Sequence, residues 1–387
     1  GVTTSTSTPT PAPVASAPAN LRTGPELRFD PTSGFFGSTF PSNARRNNTG
    51  GPDLTGMPNP RGEQFVDLNY RLAGRDPKGF SPTGAIYFPF SDLVNALPGG
   101  PAASLFNDSP VFLVDVDPGS ADRLSRHPIF TSVTQSADSF RPANLLQLLP
   151  VPGRGLKVNT TYAAVVLRRL GAPGGVAHLG QSPELTELLA GRTPATPQGP
   201  ALASAFAPLQ SALFDMGVHP QDVAAATVFT TGDPTARLIA QVDYVNSLLP
   251  LAPTQAFGQR DVYPTFTALT SSFSAPQYQN GFAPFLWSGG EIVTDGLGNP
   301  LAQSFKDSPF QLSVPKGVMP AQGFPLYLYC HGTGGTENEA IDRGRMTAAG
   351  VQPALGSGLA SIGAPRGWGT ACAAGVFSPS RIGIMAA

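Results

Sequence analysis

The sequence predicts a mainly β chain with a few inserted helices, followed by the first strands of a second, α/β-type sheet. Three observations carry that expectation. Glycine (44) and proline (42) are abundant, and both disfavour helix interiors while suiting turns and strand ends. Short apolar runs bounded by turn residues recur at 85–90 (AIYFPF), 111–117 (VFLVDVD), 161–167 (TYAAVVL) and 223–231 (VAAATVFTT), the pattern of buried strands. A later run, Phe324 to Cys330 (FPLYLYC), is apolar at every position, as in a strand covered on both faces.

Taken in order, residues 1–20 form an uncharged Ser/Thr/Pro/Ala tract with little to bury, a composition that does not fold. We expect residues 1–26 to be a disordered tether. Gly1 stands where an initiator Met would, which suggests a removed signal segment, export, and a lipid anchor upstream of Gly1. From Leu27 the chain turns globular, with Phe29, Phe35, Phe36 and Phe40 set among turn residues. The short strands that follow predict an Ig-like β-sandwich over 27–314. Two helices interrupt it, near 202–218, where Leu202, Phe206, Leu209 and Leu213 share a face broken by Pro208, and near 233–249, where Leu238, Ile239, Val242 and Val245 do. A turn at Asp295–Asn299 joins 291–294 to a long segment ending at Val314. We place a domain boundary there, with 315–387 as a second domain, because 387 residues exceed the roughly 250 to 300 that one core spans.

Charge excludes several partners. Lys and Arg number 24 against 25 acidic residues, so no net field draws in nucleic acid or an anionic membrane. No apolar run approaches the ~18 residues of a membrane span. Cys330 and Cys372 are too few for a disulfide framework, though one bridge would fit an oxidising compartment.

The motif with chemical content is His331-Gly332-Thr333-Gly334-Gly335, directly after the apolar run. In α/β hydrolases a glycine-rich loop after the third strand supplies backbone N–H donors to the developing oxyanion. His331, Gly332, Thr333 and Gly334 are therefore the candidate oxyanion-loop residues, with His331 shaping the loop and not acting as base. The alternative is a glycine-rich turn after a core strand. A phosphate cradle is excluded because no lysine follows Lys316.

Several stretches in order resemble bacterial extracellular or surface-lipoprotein lipases of the virulence-factor type, which join a β-rich N-terminal domain to an α/β-hydrolase. They are Leu27–Phe40, Gly79–Phe90, Leu145–Leu167, Asp222–Thr231 and the HGTGG loop. The resemblance implies hydrolysis of a lipid or other ester at a Ser/His/Asp site, with no metal or organic cofactor. The departure is severe: no G-x-S-x-G nucleophile turn occurs, and Gly356-Ser357-Gly358 lacks its spacing. We expect Leu359–Gly363 to be the next core strand, after which periodicity fails. That points to an incomplete, inactive hydrolase, produced by a reading-frame slip or by a natural or deliberate truncation. The competing expectation is a non-catalytic cell-surface binding or structural module.

Asp115, Asp117 and Asp122 around Gly119 have the alternation of a calcium loop, but too few ligands, and we read them as a solvated turn. His127, His178 and His219 lack partners at zinc spacing. Trp287 fits an interdomain core better than a lipid-facing cleft. Within the oxyanion loop only His331 and Glu337 are side-chain ligand candidates, so no metal is expected there.

Overall fold

The computed structural model describes residues 19–75, 78–248, 251–282, 285, 289–375 and 378–379; the Ser/Thr/Pro tract to residue 18 and Trp287 lie outside them. The chain divides into two compact units, Gly1–Pro234 and Thr235–Ala387. It is β-rich, with several sheets and some helices.

In the first unit the described strands are β1 (Ile86–Pro89), β2 (Val111–Asp115), β3 (Arg126–His127), β4 (Ile129–Thr134), β5 (Leu145–Pro150), β6 (Thr161–Leu167) and β7 (Val223–Thr230). They form two antiparallel sheets, ordered β1-β5-β4 and β3-β2-β6-β7. Ile86, Phe88 and Leu148 of the first sheet share one apolar cluster with Leu113, Tyr162 and Phe229 of the second. The alternate residues Phe112, Val114, Val165 and Val228 face the other way. That face is closed by α2 (Pro183–Leu189) and α3 (Gly199–Asp215). The second sheet is thus buried on both sides, which is why β2, β6 and β7 read as continuous apolar runs without polar alternation. The expected sandwich gains a third layer, since the Leu202/Phe206/Leu209/Leu213 face of α3 packs onto the sheet.

Local sequence accounts for the helix starts. Ser182 caps α2 by accepting from Leu185 N at 3.4 Å, with Pro183 at the first position. A further helix, α1 (Gln64–Arg75), lies outside the two helices expected from sequence.

The second unit begins with α4 (Ala236–Ser247), whose apolar positions Leu238, Ile239 and Val242 are exposed. Its sheet is built from β8 (Gly258–Val262), β9 (Phe266–Gln277), β10 (Ser304–Pro315), β11 (Leu326–Leu328) and β12 (Gly369–Ala373), in the order β11-β12-β10-β9-β8. β9 and β10 pair antiparallel over their full length, Ser304 opposite Gln277 through Pro315 opposite Phe266. Two short helices, α5 (Glu339–Asp342) and α6 (Leu359–Gly363), pack against the sheet around Phe266, Ala268, Ile341, Ala360 and Ala364.

Four expectations change here. The start of an α/β-hydrolase sheet would be mostly parallel, but only β11 and β12 pair in parallel. The 324–330 run is no interior strand: β11 is the last strand of the sheet, with Leu326 at 53% and Leu328 at 71% exposure. Leu359–Gly363 is helical, and the strand that follows is β12, whose small residues Thr370, Ala371 and Cys372 carry no periodic signal. Finally, β10 lies before the expected boundary at 315 but is bonded to β12, beyond it; the division falls at Pro234 instead.

Candidate functional site

The HGTGG loop leaves the open end of β11. Its backbone closes a β-turn, with Gly335 N donating to Gly332 O at 3.0 Å and Gly334 at φ +80°. That left-handed position favours glycine. Gly335 is required for a different reason: a Cβ there would sit 2.9 Å from His331 Cβ and 2.6 Å from Glu339 Oε1. Both glycines are therefore accounted for by the turn and by close packing.

Both ring nitrogens of His331 are engaged. Gly375 N donates to Nε2 at 3.0 Å, which fixes Nε2 as the acceptor and leaves the proton on Nδ1, 2.9 Å from Gly332 O. The imidazole clips the turn to the chain leaving β12. Nearby, Tyr329 Oη donates to Glu339 Oε2 at 3.3 Å and Arg343 Nη1 to the same oxygen at 2.7 Å. The Cys372 thiol is buried, lies 3.8 Å from Thr336 O, and is pushed up to about 11 by that burial. Cys330 is exposed, and both cysteines are free, so the bridge considered from sequence does not form. Thr333 is exposed and carries no described bond to the cluster.

Ser357, the nearest approach to a nucleophile motif, donates to Ala354 O at 2.5 Å from an irregular segment before α6. No strand precedes it. Among the described residues no cluster of three or more His, Cys, Asp or Glu side chains is arranged to hold a metal. Below β12, Leu251, Pro253, Phe273, Phe310, Leu328 and Ala371 line an open apolar hollow of about 290 Å³.

The aspartate loop in the first unit is a structural turn. Asp115 is fully buried; its Oδ1 accepts from Asp117 N at 2.9 Å and its Oδ2 from Ser120 Oγ at 2.5 Å. Asp117 accepts from Gly119 N and Thr161 N, and Asp122 pairs with Lys157. His127 packs edge-on to Tyr162 at 5.2 Å between ring centroids, and burial lowers its pKa. The solvated turn expected from sequence is therefore anchored at one end by a buried carboxylate, Asp115, while Pro118, Gly119 and Asp122 face solvent.

No family model and no curated protein matches the chain. Among solved structures it is similar to the N-terminal part of the bacterial S-layer protein SbsC, at 10% identity and a TM-score of 0.18. The match covers 66% of this chain and 44% of that one, and a score so low carries no argument about fold. The lipase resemblance is corrected by the fold: the strand bearing the supposed oxyanion loop is an exposed one at the end of a mostly antiparallel sheet. No described helix is long and apolar enough to cross a membrane.

Proposed function

We propose that this chain is a non-catalytic module held outside the cytoplasm, where it binds a ligand or contributes structure at the cell surface. One observation carries the reading: the HGTGG segment is a tight turn after an exposed end strand, and its histidine bonds through both ring nitrogens to backbone groups, an arrangement that serves to hold the turn in place. The low charge, 13% of residues, against about 25% in ordinary soluble domains, and the Ser/Thr/Pro-rich tract support display at a surface.

The test has two arms. The purified chain, incubated with p-nitrophenyl butyrate, is expected to turn over no faster than its heat-denatured control; turnover abolished by a serine-directed phosphonate overturns the non-catalytic reading. Brief protease treatment of intact source cells is expected to release peptides from this chain, and their complete protection overturns the surface placement.

A further inference from the structure

The first unit contains a partly open cavity of about 220 Å³ lined by Phe29, Thr32, Arg45, Thr196, Gln198 and Leu202. At about 30 Å³ per water, that is room for roughly seven waters, or a body of comparable size. Arg45 defines its chemistry. The guanidinium lies 4.4 Å from the Phe35 ring centroid and 5.1 Å from that of Phe40. Its Nη1 donates to Phe35 O at 2.8 Å, Thr39 O at 3.4 Å and Ser38 O at 3.5 Å. All three bonds come from one nitrogen. Nε and Nη2 meet no partner among the described residues, and no carboxylate lies within ion-pair distance of the group. The cation is desolvated: burial lowers its pKa, and only the more distant charge of Asp53 opposes this.

A guanidinium fixed on two aromatic rings, with its remaining donors unused, is pre-organised for planar, two-oxygen recognition. Apart from the Gln198 amide and Asp30, the rest of the wall is apolar or hydroxylic. Asp30 lines the cavity but is exposed, and its Oδ1 is taken by Thr32 N at 3.0 Å and Thr32 Oγ1 at 2.5 Å. A second negative charge on a ligand would meet it.

We propose that this cavity binds a small monocarboxylate with an apolar body, the carboxylate engaging Arg45 and the body resting against Phe29 and Leu202. This deepens the reading of the chain as a binding module by naming a ligand class.

The experiment uses the full chain and four probes followed by NMR and calorimetry. Phenylacetate is expected to bind with Kd on the order of 1 mM, the range for about ten non-hydrogen atoms, and to move the Arg45 Nε–H resonance. Phenylacetamide, with the same shape and no charge, is expected to bind at least about tenfold more weakly. Phenylsuccinate should be weakened by Asp30, and phenylalanine, whose ammonium suits that aspartate, should bind no worse than phenylacetate. R45K is expected to lose about tenfold in phenylacetate affinity. Because Arg45 also braces Phe35 and Phe40, T196W serves as the second variant: it fills the cavity, leaves Arg45 in place, and should abolish binding without moving the thermal transition. Equal binding of phenylacetate and phenylacetamide, no binding of either, or binding indifferent to T196W overturns the proposal. A chain that hydrolyses esters yet binds phenylacetate defeats the non-catalytic reading alone; an inert chain that ignores carboxylates defeats the cavity alone.

Discussion

Val111–Val114 of β2 in the first unit and Leu326–Leu328 of β11 in the second are both uninterrupted apolar runs, yet all four residues of the first are fully buried while all three of the second are exposed. Their composition is nearly the same. What differs is cover: β2 has a sheet on one face and two helices on the other, whereas β11 ends its sheet with one neighbour. An apolar run records that a segment tolerates burial, and long-range topology decides whether it is buried. The second unit as a whole follows β11. Among the described residues its apolar cluster has five buried members, and Ser308, Gln311, Ser313 and Thr370 occupy buried positions of its sheet, where the first unit's β2, β6 and β7 are mostly apolar.

Limited proteolysis of the intact chain gives the largest effect separating the two regions. Fewer buried apolar contacts mean cheaper local opening, so trypsin or subtilisin should degrade the second unit first and leave a fragment ending near Pro234, identified by mass spectrometry. A resistant fragment ending near Pro315 would restore the boundary expected from sequence and break the comparison.

Core substitutions sharpen it next. Phe112→Ala should cost about 3 to 5 kcal/mol, the range for deleting a buried aromatic ring. Leu328→Ala, at 71% exposure, should stay within about 0.5 kcal/mol. Because the chain has two units, each is best followed by hydrogen exchange of its own strands, not by one global transition.

These contrasts mark what sequence could reveal. β6, β7 and α3 were legible, since their apolar periods are dense and their burial two-sided; Leu202, Phe206, Leu209 and Leu213 all pack as the helical spacing requires. β12 was not, because Gly369, Thr370, Ala371 and Cys372 are small and their burial depends on neighbours distant in sequence. In α4 the period was legible, but Leu238 and Ile239 remain exposed. The HGTGG letters correctly marked a tight turn, but glycine serves a turn and an oxyanion hole for the same conformational reason, so spacing alone could not separate the two. Arg45 was passed over because its stacking on Phe35 and Phe40 and its place in one cavity wall with Leu202 of α3 join residues far apart in sequence.

A smaller effect is expected at the aspartate turn. Asp115→Ala would leave Asp117 N and Ser120 Oγ without their acceptor in a buried site, costing about 2 to 3 kcal/mol. Millimolar calcium should not move the thermal transition, since the Asp115 and Asp117 oxygens are already committed. A calcium-dependent rise would show that the loop reorganises around an ion.

The smallest effect is pH-dependent and belongs to Tyr162, whose side chain is fully buried beneath β6. Its Oη accepts from Lys157 N at 3.1 Å, a bond open to either protonation state. Burial nevertheless dominates, helped by the negative charges of Asp115, Asp122 and Asp117, and raises the phenol from 10.0 to about 12. In the unfolded chain the phenol ionises near pH 10, whereas in the folded first unit it stays protonated until about 12. The stabilising contribution is therefore complete below pH 10 and is lost as pH rises from there toward 12, by an amount on the order of 2 kcal/mol. Tyr162→Phe removes the titration and the acceptor for Lys157 N together, so the variant should be less stable than the parent at pH 8 by about 1 kcal/mol. The gap should then close, and could reverse, as both are raised to pH 11. Urea unfolding monitored through the first unit at pH 8, 9, 10 and 11 measures it. A gap that stays constant across the series would mean that Tyr162 ionises as freely in the folded unit as in the unfolded chain, and that the layer over β6 admits water.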